Sequence, residues 1–191
     1  NLIKIIKKAK SCGAKVLLDE AYHEFSTYNF SSKIKDYNNL IIIRTFSKIF
    51  GLAGLRAGYV LSNKEIIKKY FAIKPMYEIN SIAVKALELI LSNPKFIVSY
   101  LKEMREGEAY AKKFCKDNYF KFIKCHANFF HVHFNHNPKK IQNYLLKKSI
   151  LIKGGPGVEN FENYLRISFA KKSTISLILN EVKKYLKLKN L

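Results

Sequence analysis

Residues 40–43, Leu-Ile-Ile-Ile, form the longest aliphatic run of this 191-residue chain, and they constrain its fold more than any other feature. Four residues are far too few to cross a bilayer, so the run reads as a short buried strand. An earlier apolar stretch, 15–18, ends at Asp19 and follows a helical repeat of Leu2, Ile5, Ile6 and Ala9 that stops at Gly13. A polar loop rich in Ser and Asn, 26–39, leads into the run, and a third strand is expected over 57–61. Helix, strand and turn in this order, with apolar strands, are the signature of a mostly parallel sheet covered by helices, an α/β layer.

Helices are expected over 64–71 and 81–91, separated by Lys74-Pro75, and Asn93-Pro94 opens a turn. Beyond it Ile97, Leu101, Met104, Ala111 and Phe114 or Cys115 mark a long helix over 96–116. Short strands at 129–134, 150–153 and 164–169 alternate with helices at 139–147 and 174–186, the last with Ile175, Ile178, Leu179, Val182 and Leu186 on one face. The expected organisation is therefore two parts, 1–93 and 94–191, the second a small α+β domain. No Gly/Ser linker divides them, which favours tight packing. The chain opens inside a helical pattern at Asn1, as though an upstream part were missing, so the lack of a signal peptide carries little weight.

With 48% hydrophobic residues the chain can fill a core. Its 35 basic residues against 14 acidic give a net charge of +21, which taken alone suggests nucleic acid or an anionic surface. Of the 35, 31 are Lys and only four are Arg: Arg44, Arg56, Arg105 and Arg166. Pairs such as Lys7-Lys8, Lys68-Lys69 and Lys183-Lys184 fall on the polar faces of helical patterns, where solvation explains them. A nucleic-acid-binding module, the reading from a different class, predicts a continuous positive stripe with interleaved aromatics; Tyr110, Tyr119 and Phe120 near lysines are its best candidates. The lysines are instead scattered over every expected helix, and a phosphate-bearing small molecule suits a basic protein equally. Where Lys is the default cation, an Arg marks a need for the planar, bidentate fork. Three widely spaced cysteines, Cys12, Cys115 and Cys125, indicate neither a disulfide scaffold nor a zinc site and fit a reducing cytoplasm.

The densest constellation of reactive types is the stretch from Arg44 to Tyr59, in which Gly51, Gly54 and Gly58 bracket Arg56 directly after a buried strand. Glycine there lets the backbone approach an anion or take a positive φ, while Ser47 and Arg56 offer a hydroxyl and a bidentate phosphate clamp. Lys48, in apolar surroundings, has the placement of an amine that forms a Schiff base. A Walker loop is excluded, because GxxxxGK[ST] is absent. A second constellation, Asp19-Glu20-Ala21-Tyr22, stands at a strand end, where α/β proteins place ligands. Asp19 and Tyr22 there either hold a heteroaromatic N–H and a phenolate, or cap a turn and fill core. His131 and His133 lie on one face of a strand, with His126 and His136 nearby, but no Cys or carboxylate stands at ligand spacing, so solvent-facing histidines rather than a metal site are expected.

The segments LLDEAYHEF (17–25), IIIRTFSKIFGLAGLRAGYVL (41–61), KPMYEINSIA (74–83), ANFFHVHF (127–134) and YLRIS (164–168) occur in this order. Together they resemble the second half of the histidinol-phosphate aminotransferase-like family of fold-type-I pyridoxal-phosphate enzymes, the class I/II aminotransferases. The resemblance runs over essentially the whole chain. It implies the C-terminal part of the large, mostly parallel cofactor-binding domain plus a small α+β C-terminal domain, and a role in amino-acid biosynthesis. It implies pyridoxal 5'-phosphate as cofactor, an amino donor and a keto acid acceptor as small-molecule partners, and a homodimer with the active site at the subunit interface.

Carried over residue by residue, the resemblance makes Lys48 the lysine that holds the cofactor as a Schiff base and moves the proton. Asp19 would pair with the pyridine nitrogen, Tyr22 with the phenolic oxygen, and Ser47 and Arg56 with the cofactor phosphate. Arg166 would clamp the substrate's acid group by a bidentate pair, with Asn128 near it. Lys153 stands where the family usually has an Arg facing the substrate's distal phosphate. It keeps the charge and loses the fork, so the substrate need not be histidinol phosphate. In the family a Pro-Thr-Gly loop immediately precedes the position of Asn1. The loop completing the phosphate cup and the aromatic stacked on the ring would also lie outside this chain, which by itself should bind cofactor weakly. A phospho-amino-acid decarboxylase, of the threonine or serine phosphate type, shares all these motifs and is the close alternative.

Overall fold

The computed structural model describes residues 1–189. Contacts divide the chain into two compact units, Asn1–Ile97 and Val98–Leu191.

In the first unit α1 (Leu2–Ser11) leads to a three-stranded sheet, β1 (Val16–Asp19), β2 (Leu40–Thr45) and β3 (Gly58–Leu61), in that spatial order. The aliphatic run is the central strand: Leu40 and Ile42 are fully buried and pack with Ile6 of α1. β1 and β2 are parallel, as the helix–strand alternation requires, but β2 and β3 are antiparallel. Their connection, 46–57, contains one short 3-10 turn and no crossover helix, so the chain has to return in the opposite direction. Gly58 makes that return possible, since a Cβ there would stand 2.7 Å from the Arg44 carbonyl oxygen. The sheet is also less covered than a parallel layer would be. Leu17 and Val60 are 59% and 37% exposed, because α1 packs on the opposite face, with Val16, Leu18 and Leu40; Ile5 of α1 is itself exposed. Two further helices follow, α2 (Lys64–Ile73) and α3 (Ser81–Leu91). Each starts at an Asn whose side chain accepts a backbone N–H, Asn63 from Ile66 and Asn80 from Ala83.

The long helix α4 (Pro94–Asp117) carries most of its length into the second unit, whose sheet has the order β4 (Lys121–Lys124), β5 (Phe129–His133), β7 (Leu165–Ser168), β6 (Lys153–Gly154). Every pairing is antiparallel. Phe130, Val132, Leu165 and Ile167 alternate onto one face and meet Ala111 and Cys115 of α4, Ile141 and Leu145 of α5 (Pro138–Leu146), and Ile175, Leu179 and Val182 of α6 (Lys172–Lys189). Gly107 sits where α4 touches the turn after β7; a Cβ there would be 2.0 Å from the Ala170 carbonyl oxygen. The strand expected over 150–153 is reduced to Lys153–Gly154, and β4 went unanticipated because Lys-Phe-Ile-Lys is too short to show a period. Phe120, a candidate for stacking on bases, packs against the core instead, edge-on to Phe134 at 4.9 Å, and the Tyr110 hydroxyl is hydrogen-bonded to Ser176. No helix among the described residues is long and apolar enough to cross a membrane.

The three thiols differ sharply in setting, which gives a check on this packing. Cys12 is exposed, Cys125 is half-buried, and burial pushes the Cys115 thiol up to about 12. Alkylation under native conditions is expected to modify Cys12 first and Cys115 only on unfolding, as read by peptide mass over time.

Candidate functional site

β1 and β2 end side by side, with Asp19 opposite Ile43, so the two sequence constellations meet at the carboxyl ends of adjacent parallel strands. Phe46 and Ile49 are both buried, and Phe46 packs on Phe50 and Tyr59 at 5.0 and 5.3 Å. Between these two anchors the chain has to turn Ser47 and Lys48 away from the core. The turn is closed by backbone bonds from Gly51 N–H to the Lys48 carbonyl and from Leu52 N–H to the Phe46 carbonyl, each 3.1 Å. On the other strand end, Asp19 Oδ1 accepts the Ala21 N–H at 2.9 Å, which turns the chain toward Tyr22. The result places the Lys48 ammonium over the Tyr22 ring, 5.1 Å from its centroid.

An ion pair holds the two strand ends together. Arg44 gives Nη2 and Nε to Glu20 Oε2 at 2.7 and 2.9 Å, with both side chains 9% exposed. Arg44 Nη2 also reaches Asn29 Oδ1 at 3.2 Å, and Glu20 Oε1 accepts the Phe30 N–H at 3.3 Å, which ties down the 26–39 loop. Burial works against the Arg44 charge, but the Tyr59 hydroxyl and the Glu20 carboxylate outweigh it, and the guanidinium pKa is raised above its ordinary value. Neither Glu20 nor Arg44 was given a role from sequence. The signal was there in the use of Arg among so many lysines.

Around this satisfied pair stand groups whose bonding capacity is still open. Among the described residues, Lys48, Arg56 and Asp19 make no ion pair. Ser47 Oγ accepts from Thr45 Oγ1 at 2.9 Å, so its own hydrogen remains to be donated. Arg56 is exposed and, among the described residues, bonds only the Ala53 carbonyl of its own turn, at 3.2 Å. It also sits at φ 55°, a left-handed conformation that costs a residue with a Cβ about 1–2 kcal/mol. Gly51, at φ 69°, adopts the same region without that cost. A strained, unpaired arginine beside a free hydroxyl, a lysine on an aromatic ring and an unpaired carboxylate can hold a ligand with an anionic group at one end and a basic ring nitrogen at the other.

The remaining expected residues lie in the second unit. Lys153 and Arg166 are partners on one rung of the β6–β7 pair. Among the described residues neither has a carboxylate partner, and like charges on one rung repel, so the rung is suited to an anion. It borders a cleft of about 390 Å³ that Ile152, Ser168 and Ile178 also line. Asn128 is half-buried just before β5, its carbonyl accepting the Phe169 N–H at 2.7 Å beyond the end of β7. The expectation of solvent-facing histidines fails for His131, which is 7% exposed and has Nδ1 3.2 Å from Cys125 Sγ. Phe161 and Tyr164, ahead of β7, cover it. Among the described residues no three His, Cys, Asp or Glu side chains converge on a metal position.

The sequence profile of the family described as aminotransferase class I and II matches residues 1–177. A histidinol-phosphate aminotransferase from Caldanaerobacter subterraneus subsp. tengcongensis is 36% identical over 188 residues, 97% of this chain and 52% of the relative. Of solved structures, the histidinol-phosphate aminotransferase from Clostridium acetobutylicum aligns with a TM-score of 0.86 at 26% identity, over 99% of this chain and 58% of that one. The one from Sinorhizobium meliloti, in complex with pyridoxal-5'-phosphate, gives 0.80 at 24% over 96% and 53%. The L-threonine-O-3-phosphate decarboxylase from Porphyromonas gingivalis gives 0.78 at 22% over 97% and 58%; likenesses at these last two identities show the fold alone. The chain thus spans about half the length of the curated relatives it matches.

The contrast between the two arginines is open to test by thermal unfolding. Arg44→Met leaves the mostly covered Glu20 carboxylate without its cation and is expected to cost about 2–4 kcal/mol, toward the lower part of the range for fully buried pairs. Arg56→Gly relieves the left-handed strain and is expected to raise stability by about 1 kcal/mol.

Proposed function

This chain belongs to the aminotransferase class I and II family, and on that premise we propose that it carries the lysine, the phosphate donors and the acid clamp of a pyridoxal-phosphate-dependent aminotransferase of the histidinol-phosphate type. The observation that carries the reading is the set of unpaired groups, Lys48, Arg56 and Asp19, around the saturated Glu20–Arg44 pair. The set fits this cofactor chemically. It offers a primary amine for an aldehyde, a carboxylate for a protonated ring nitrogen, and a hydroxyl with a guanidinium for a phosphate.

When bound, pyridoxal phosphate supplies an electron sink for charge developing at the carbon next to the substrate's amine. Asp19 keeps the ring nitrogen protonated, and its bond to Ala21 N–H leaves its second oxygen for that purpose. Tyr22 would hold the cofactor's phenolic oxygen. Ser47 donates its free hydrogen to the phosphate, and Arg56 adds its fork. Lys48 Nζ would hold the aldehyde and, once the substrate's amine has taken its place there, would move the proton from the substrate's α-carbon to the cofactor's aldehyde carbon. Arg166, with Lys153 beside it and Asn128 near the end of the same strand, holds the substrate's acid group. The substrates are a small, phosphorylated amine or amino acid and a keto acid acceptor. The working unit is a homodimer; the exposure of Phe71, Ile73, Met76, Tyr77 and Ile82 supports a protein-covered surface there. The free thiols accord with a cytoplasmic location.

The test uses the protein at its full natural length, loaded with pyridoxal phosphate and given histidinol phosphate without a keto acid. Conversion of the cofactor's visible absorption to that of pyridoxamine phosphate is the expected result. Unchanged absorption with histidinol phosphate, together with release of carbon dioxide from threonine phosphate, would overturn it in favour of decarboxylation.

A further inference from the structure

The two faces of the second unit's sheet differ in kind. One is covered by helices, and the other carries Ile123, His131, Arg166 and Lys153 in a single row across four strands. His131, in the middle of that row, is held on every side. Phe129 meets its ring edge-on at 5.4 Å, Phe161 lies at 4.5 Å and Tyr164 at 6.5 Å, and Cys125 Sγ stands 3.2 Å from Nδ1. Burial and the charge of Arg166 push the imidazole pKa down, while burial and Glu108 push the Cys125 thiol up. Both groups are neutral near pH 7. The thiol keeps its hydrogen and can donate it to Nδ1 when the imidazole hydrogen is on Nε2.

Arg166 has no carboxylate to fix it among the described residues. What its guanidinium does have is the Phe129 ring, 5.0 Å from ring centroid to Cζ. A flexible arginine on an open sheet face loses side-chain entropy when it binds a ligand, and a shelf that orders it beforehand reduces that loss. The shelf can do so only if the ring is itself immobile, and His131 is the residue packed against its edge.

We infer that His131 is the positioning residue of Arg166: locked in one orientation by the Cys125 thiol, it steadies the Phe129 ring on which the guanidinium rests and so fixes where the fork meets an acidic ligand. This rests on the reading of Arg166 as the acid clamp. It also explains why an imidazole, and not a lysine, occupies position 131. A fixed cation there would be the third in one row with Arg166 and Lys153.

The test compares Arg166→Lys, Phe129→Leu, His131→Leu and His131→Asn in the cofactor-loaded full-length protein with histidinol phosphate. An Asn side-chain oxygen can take the thiol hydrogen in place of Nδ1. Phe129→Leu and His131→Leu are expected to raise KM about 5-fold with kcat within 2-fold, and His131→Asn to recover most of that loss. In the ligand-free protein the Arg166 Hε resonance, shielded by the Phe129 ring, is expected to move downfield in His131→Leu and to stay in place in His131→Asn. If Arg166→Lys raises KM while His131→Leu alters neither KM nor the resonance, the positioning role falls and the clamp stands. If Arg166→Lys leaves KM unchanged, both fall. Should His131→Leu fail to fold, Cys125→Ala and Cys125→Ser replace it: loss with Ala and retention with Ser supports the role, and equal behaviour overturns it.

Discussion

Two charges with side chains 9% exposed, Glu20 and Arg44, set the conditions for everything around them. Each would be costly to bury alone, and together, with Asn29, Tyr59 and the Phe30 N–H, they satisfy one another within a few ångströms. The pair spans from the residue after β1 to the fifth residue of β2 and so clamps the two strand ends that carry Asp19 and Lys48. Because each charge is engaged within the clamp, neither is an ion-pair partner of Lys48, Asp19 or Arg56. Those three remain available to a ligand. A site made only of unpaired groups would lack such a frame.

Lysine and arginine divide the work in this chain. Lysines supply most of the +21 charge from solvated helix faces, whereas Arg44, Arg56 and Arg166 each occupy a place where a planar fork has something to meet. Arg44 meets a carboxylate, and Arg56 holds a strained turn whose donors face outward. Arg166 rests on an aromatic ring with its fork unengaged. Arg105, exposed on α4, is the fourth and has no such place.

Much of this was legible in the sequence because it depended on local pattern. The aliphatic run named the central strand, and the short strands expected over 129–134 and 164–169 are present as β5 and β7. The glycine-rich stretch after β2 marked the turn that presents Ser47 and Lys48. What stayed hidden depended on partners distant in sequence. The reversal of β3 follows from a connection that holds no crossover helix, and the exposure of Leu17 and Val60 follows from which face α1 covers. His131 read as a surface histidine because nothing local announces that Phe161 and Tyr164 will fold over it. Glu20 was silent because an acidic residue beside Asp19 has no periodicity to betray a partner 24 positions away.

The central claim is that Lys48 is the amine to which the cofactor becomes attached. Borohydride reduction of the full-length protein loaded with pyridoxal phosphate, followed by peptide mass mapping, tests it most directly. The account predicts a reduced pyridoxyl adduct on Lys48, lost in Arg56→Ala at cofactor concentrations that saturate the parent protein. An adduct on another lysine, or label spread over many of the 31 with Lys48 unmodified, would contradict it.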